Sequence, residues 1–308
     1  MSIIEVRSLV KTYGEITAVN NISFTVEQGT MLGFLGVNGA GKSTVINILS
    51  TLLQPDSGEA VICGHTLGRD DHAIRRDIGI VYQQNCLDGL LTVKENLICR
   101  GTLHGASRQQ VNARLEELCH ILKLGDILKQ KYRTLSGGQK RRCEIAAALM
   151  HTPRILFLDE PTTGLDPATR KDVWETIEML RKQENMTVFL TTHYMEEAAQ
   201  ADHIIILDRG NIVASGTPFA LKEQYARDKL RLYCDEDEAA GLCTELSRFS
   251  PLPTPYGLEI ALHTTLEALP ILQSLQGRIG GFEVIQGNMD DVFLSATGGN
   301  AQSGRDES

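Results

Sequence analysis

The chain has 308 residues, 42% of them apolar and 22% charged, with a formal net charge of -9 and an isoelectric point near 5.4. Its length suggests one large globular domain and a smaller companion. The acidic balance lacks the basic footprint of a nucleic-acid binder, so no nucleic-acid partner is expected.

The N-terminal stretch MSIIEVRSLVKTYG shows no signal-peptide core, and no apolar run approaches the roughly 20 residues that span a bilayer. Any role at a membrane then needs spans from another chain. The seven cysteines are scattered and form no C-x-x-C pair, which argues against a disulfide framework or zinc site and fits a reducing cytosol.

In chain order, residues 3–10 and 21–27 alternate apolar and polar, as half-buried strands do. Residues 30–36 read as a buried strand entering a glycine-rich loop, and 42–53 as an amphipathic helix. Residues 58–64 and 77–83 read as strands. From 91 to 150 the pattern is helical, and strands return at 154–159, 187–193 and 203–216. Strands alternating with helices predict a largely parallel sheet, here interrupted by a helical insertion. Beyond 225, the stretches DKLRLYC, GLEIALH and GFEVIQG predict short strands among helices, a small α+β unit of ferredoxin-like type. The polar tail 299–308 is expected to be disordered.

GVNGAGKST, spanning Gly36, Val37, Asn38, Gly39, Ala40, Gly41, Lys42, Ser43 and Thr44, satisfies G-x-x-x-x-G-K-[ST] between a strand and a helix. Gly39 and Gly41 let the backbone wrap a phosphate, Lys42 neutralises it, and the Ser43 hydroxyl can ligate Mg²⁺. In ILFLDEP an apolar strand ends in two carboxylates, where open α/β sheets bind ligands. Asp159 is placed to hold Mg²⁺, and Glu160 to orient and deprotonate a water. Gln83 and His193 close two further strands, with Gln83 able to touch the metal or the water.

LSGGQKRR, from Leu135 through Arg142, is less simple. Ser136 and Gln139 form a capping-box pattern. The pair Gly137 and Gly138 exceeds what a cap needs, and Lys140, Arg141 and Arg142 crowd a helix start against its dipole. Bare N–H groups at a glycine-opened helix start make an anion site. The basic triplet is left facing either that anion or an acidic neighbour.

Together, GVNGAGKST, VYQQ, LSGGQ, ILFLDEP, TTGLDP and TTH resemble the ATP-binding cassette ATPases over roughly residues 3–220. The resemblance implies a P-loop NTPase fold: a RecA-like core, an N-terminal antiparallel β subdomain and a helical insertion. It places an ATP-binding domain at 1–222, a helical subdomain at about 84–150 and a separate α+β domain at 225–298. ATP and Mg²⁺ are its implied cofactors. It makes Gln83 the Q-loop glutamine, Leu135–Gln139 the signature motif, Asp159 the magnesium-side aspartate, Glu160 the catalytic base, Asp166 the D-loop aspartate and His193 the switch histidine. Tyr13 matches the aromatic that stacks on adenine. Because the signature of one cassette closes over nucleotide held by another, a second cassette, most simply a second copy, is implied.

GIVYQQNCLDGLLTVKENL and the ending GNMDDVFLSATG resemble the drug-export (daunorubicin-resistance-like) cassettes. These serve a separate ABC-2-type permease, at the cytoplasmic face of the membrane. Leu87, Leu90, Leu91 and Val93 either grip that permease or form the insertion's core. Val37 stands where the family often has proline, and Ala147 where it often has arginine. The alternative is a soluble cassette acting as a nucleotide-gated regulatory or assembly module.

Overall fold

The computed structural model describes residues 1–275 and 277–298. The tail expected to be disordered, 299–308, lies outside the described residues. Two compact units divide between Ser215 and Gly216.

The first unit opens with β1 (Ser2–Tyr13) and β2 (Ile16–Glu27), longer than the alternating runs suggest. They pair antiparallel with register shifts, around a two-residue turn at 14–15. With β4 (Ser57–Ile62) and β5 (His65–Thr66) they form one sheet, ordered β2-β1-β4-β5. The expected strand at 58–64 thus belongs to this antiparallel sheet and not to the parallel one.

The second sheet, parallel but for its edge strand β10, is built from β3 (Met31–Leu35), β6 (Ile78–Val81), β7 (Ile155–Asp159), β8 (Thr187–Thr192), β9 (His203–Asp208) and β10 (Asn211–Gly216). Its order is β10-β9-β3-β8-β7-β6. The run 203–216 is two strands because Arg209 and Gly210 both take positive φ, 46° and 78°, as a tight two-residue hairpin turn requires. Buried on both faces, β3 and β7 are apolar runs up to Asp159, while β8 is buried throughout with an apolar centre between threonines. Phe24 of β2, Phe34 of β3, Phe189 of β8 and Phe157 of β7 form a chain of rings with centroids 5.3–5.7 Å apart. That chain fastens the antiparallel sheet to the parallel one.

Helix α1 (Lys42–Leu49) stops four residues earlier than expected, and α2 (Asp71–Asp77) precedes β6. The helical insertion comprises α3 (Val93–Leu103), α4 (Arg108–Ile121) and α5 (Gly137–Leu149), each begun by a capping box. Helices α6 (Pro167–Glu184) and α7 (Met195–Ala198) complete the unit. Trp174, the single tryptophan of the chain, is buried on α6.

The second unit runs α8 (Pro218–Tyr225), β11 (Asp228–Tyr233), α9 (Glu236–Glu245), β12 (Leu252–Thr254), β13 (Gly257–Leu262), α10 (Ala268–Ser274), β14 (Gly281–Ile285), α11 (Met289–Ala296). Its sheet order, β12-β13-β11-β14 with every neighbour antiparallel, is the ferredoxin-like split βαβ arrangement. The division comes before the boundary expected at 222–225 because α8 packs on α11.

Candidate active site

β3, β6, β7, β8 and β9 are parallel, so their carboxyl ends share one edge of the sheet. The phosphate-type loop, Gln83, the paired carboxylates and His193 all follow those ends. Gln83 lies two residues beyond β6, in a loop and not at the strand end expected for it.

Residues 36–44 wrap from β3 into α1. Gly41 precedes the helix at φ 108°, and a Cβ there would stand 2.2 Å from the Ala18 carbonyl oxygen of β2. The loop is pinned from below, since the Gly210 N–H donates to the Ala40 carbonyl at 3.0 Å. Unlike α3, α4 and α5, helix α1 has no side-chain cap, and its first turn holds no acid. Its leading N–H groups are therefore available to an anion. Lys42 is buried and its ammonium donates to the Gly36 and Val37 carbonyls at 2.7 and 3.1 Å. Burial holds its pKa below the ordinary lysine value, opposed by the charges of Glu160 and Asp159. Val37 and Asn38 are exposed at the loop apex, where the absence of proline meets no packing constraint.

Asp159 accepts a hydrogen bond from Thr191 Oγ1 at 2.6 Å. Burial raises its pKa and Glu160 adds to the rise, while Thr191, Lys42 and Arg141 pull it down. Ser43, at the exposed start of α1, Asp159 and the Gln83 amide offer only oxygen donors, a set suited to a hard divalent cation.

Three side chains converge on Glu160. Gln83 Nε2 donates to Oε2 at 3.0 Å, Thr163 Oγ1 donates to Oε2 at 3.2 Å, and His193 Nδ1 lies 3.4 Å from Oε1. Glu160 itself sits in the left-handed region at φ 46°. That conformation costs about 1–2 kcal/mol for a residue bearing a Cβ. Its N–H is taken by the carbonyl and hydroxyl of Thr191, at 3.1 and 3.2 Å.

The LSGGQ stretch opens α5 away from this cluster. Ser136 Oγ accepts from the Gln139 N–H at 3.3 Å, and Gln139 Oε1 accepts from the Ser136 N–H at 3.0 Å. Leu135 is buried beneath them, and Gly137 lies against Leu165. Gly138 lies against α6, where a Cβ would stand 2.4 Å from Thr169 Cγ2. Asp166 caps α6 by accepting from Thr169 N and Oγ1 at 3.0 and 2.6 Å, which holds its carboxyl below the usual range. Tyr13, at the end of β1, is half exposed with the Lys11 ammonium 5.9 Å from its ring.

Within the basic triplet, Arg141 is the residue whose charge acts on acidic neighbours, Glu144 and Asp159. Lys140 lies over the Tyr132 ring, Arg142 reaches the Leu122 carbonyl, and Arg141 turns inward to backbone carbonyls beneath the carboxylates. Glu144 and Thr191 carry no sequence signal for their roles, and Arg141 carries only its charge against the helix dipole. Leu87 and Val93 are buried in the insertion, whereas Leu90 is exposed.

The ABC transporter family's sequence model matches residues 19–163. The chain is 39% identical over 306 residues to the daunorubicin/doxorubicin resistance ATP-binding protein DrrA of Streptomyces peucetius, covering 96% of this chain and 92% of that protein. It is 37% identical over 302 residues to the Nod factor export ATP-binding protein I of Burkholderia lata, covering 97% and 98%. Among solved structures it resembles a dimeric, post-hydrolysis ATP-binding cassette bound to ADP and phosphate, with a TM-score of 0.64 and 31% identity over 70% of this chain and 98% of that one. Full-length similarity of this order, together with the clustered phosphate loop and carboxylates, makes the chain a member of the ABC transporter family and an ATP-hydrolysing cassette.

Proposed function

We propose that this cassette powers export through a separate ABC-2-type permease at the cytoplasmic face of the membrane, and that it works as a homodimer. The observation that carries the catalytic part is the convergence of Gln83, Thr163 and His193 on Glu160 beside the Lys42 loop. Glu160 takes the proton of the attacking water, while Gln83 and His193 orient that water and the γ-phosphate. Lys42 and the α1 amides hold the phosphates, and Tyr13 stacks on the adenine. Ser43, Asp159 and Gln83 would hold Mg²⁺, which would neutralise charge at the phosphates.

Leu135–Gln139 and Asp166 serve the second copy. The signature serine and glycines close over its nucleotide, so one chain completes only half of each site. Support comes from the dimeric cassette to which this chain is similar. Export of a drug-like, antibiotic or lipid-like molecule is supported by the names of the resistance and Nod factor export relatives, which give no support to a regulatory or assembly module. No described helix is long and apolar enough to cross a membrane, and the separate permease would supply the spans. Of the leucines near the insertion's start, exposed Leu90 and half-buried Leu91 are available to grip it.

The test is affinity capture of the tagged chain from detergent-solubilised membranes of its source, with ATPase assay of the product. Co-purification of a six-span membrane protein supports the reading. Recovery of the active chain with ribosomal or chromosomal partners instead overturns it.

A further inference from the structure

Arg141 is buried to 6% of its accessible surface, yet among the described residues it pairs with no carboxylate within salt-bridge distance. Its guanidinium donates only to backbone: to Tyr82 O at 2.6 Å, Glu160 O at 2.9 Å, Asp159 O at 3.4 Å, and to Pro161 O. The carboxylates of Glu144 and Asp159 act on its charge only from beyond salt-bridge range, and removing a cation from water without a direct partner costs several kcal/mol, so packing alone does not favour arginine here. The planar fork does what no other side chain can, which is to hold several carbonyls at fixed mutual angles.

Those carbonyls belong to the peptides that position the catalytic groups. Glu160 is held in the left-handed region from both sides, its N–H by Thr191 and its C=O by Arg141. With the carbonyl released, the residue is free to relax toward right-handed φ, which swings the carboxylate away from Gln83 and His193. One helical turn further, Glu144 Oε1 accepts from the N–H groups of Cys86 and Leu87 at 2.8 and 3.1 Å. The loop bearing Gln83 is therefore fastened to α5 at both ends, through Tyr82 and through Cys86–Leu87.

We propose that Arg141 is a positioning residue for hydrolysis. From α5 it locks the Glu160 backbone in its strained conformation and fastens the carboxylate loop to the Gln83 loop. Dimerisation as a readout rests on the reading that Ser136 and Gly138 serve the second copy's nucleotide.

The test compares Arg141→Gln, Arg141→Lys and Arg141→Ala with the intact chain by steady-state ATPase assay and by binding of a fluorescent ATP analogue. Arg141→Gln is expected to lower kcat by about 10²-fold, the effect of misplacing a catalytic group by an ångström. KM and ATP affinity are expected to stay unchanged. Arg141→Lys recovers part of kcat, and added guanidinium ion restores turnover to Arg141→Ala. Unchanged kcat, or parallel loss of kcat and ATP binding without guanidinium rescue, overturns the proposal. Should the glutamine and alanine variants fail to fold, Arg141→Lys is read in the same way.

Placing Arg141→Gln on a Glu160→Gln background separates this from the dimer reading. If Glu160→Gln dimerises with ATP and the double variant also does, Arg141 acts on the carboxylate as proposed. If only the single variant dimerises, Arg141 supports the start of α5 instead and the proposal fails. If Glu160→Gln does not dimerise, the dimer reading fails, while a kcat-only loss in Arg141→Gln still upholds positioning.

Discussion

Gln83 Nε2 donates to Glu160 Oε2 at 3.0 Å, bridging the loop after β6 to the end of β7. An amide donor on Oε2 orients the carboxylate and leaves further acceptor sites for a water, as a general base needs. Glu160→Gln is expected to slow turnover by about 10²–10⁴-fold, the usual contribution of a positioned base. ATP binding should survive. Phosphate release and equilibrium binding measured on the same sample check both halves.

Lys42 gives effects of opposite sign in the presence and absence of nucleotide. Without ATP its ammonium is desolvated and satisfied only by two loop carbonyls, so Lys42→Met should leave the melting temperature unchanged or raise it. With ATP the stabilisation by ligand should vanish, since it depends on affinity for the folded state. Thermal melts with and without nucleotide decide the matter. A full ATP-induced shift in the methionine variant would remove Lys42 from phosphate binding.

Gly138 is constrained within its own chain before any partner arrives. Gly138→Ala drives a methyl into Thr169 Cγ2, and overpacking of this kind costs about 1–3 kcal/mol. Thr169→Ser deletes that methyl and keeps the hydroxyl bonded to Asp166. The double variant should regain the lost stability in denaturant titrations. ATP-driven dimerisation, followed on a Glu160→Gln background, should stay impaired if the glycine also admits the opposite nucleotide.

His151 makes stability depend on pH. Its Nε2 lies 2.8 Å from the Ile78 carbonyl, which can only accept, and its ring stacks on His104 at 3.8 Å. Burial first, then His104 and Arg114, push its pKa from 6.5 down to about 4, against the pull of the Ile78 bond. Between those values the unfolded chain binds a proton that the folded chain refuses. Stability from this group is therefore complete above pH 6.5 and falls as pH drops toward 4, by up to about 3 kcal/mol. His151→Gln should flatten the denaturation midpoint across that window. An unchanged slope would show that other groups set it.

Sequence alone carried the parts of this molecule that local chemistry dictates. The phosphate loop, the apolar strand ending in Asp159 and the Ser136–Gln139 capping box each depend on neighbours within a few residues, and each is found where its pattern lies. Parallel strands were legible for the same reason. What escaped was set by distant segments. Periodicity does not say which sheet residues 57–62 join, and the arginine at 141 finds its acceptors 18–20 residues away and near Tyr82, 59 residues back. Gly138 read as an opening for a phosphate, but its closest constraint is a methyl group on α6. A two-residue turn likewise split one apolar run into β9 and β10.

The lone tryptophan gives this fold an intrinsic optical reporter. Trp174 is 5% exposed on the helix that Asp166 caps and Gly138 abuts, and its indole Nε1 has no hydrogen-bond partner among the described residues. Excited at the red edge of indole absorption, where the tyrosines do not absorb, the unmodified chain therefore emits from α6 alone. Because an unpartnered indole N–H shifts its spectrum when water or a carbonyl reaches it, any rearrangement of that helix on nucleotide binding is readable without a label.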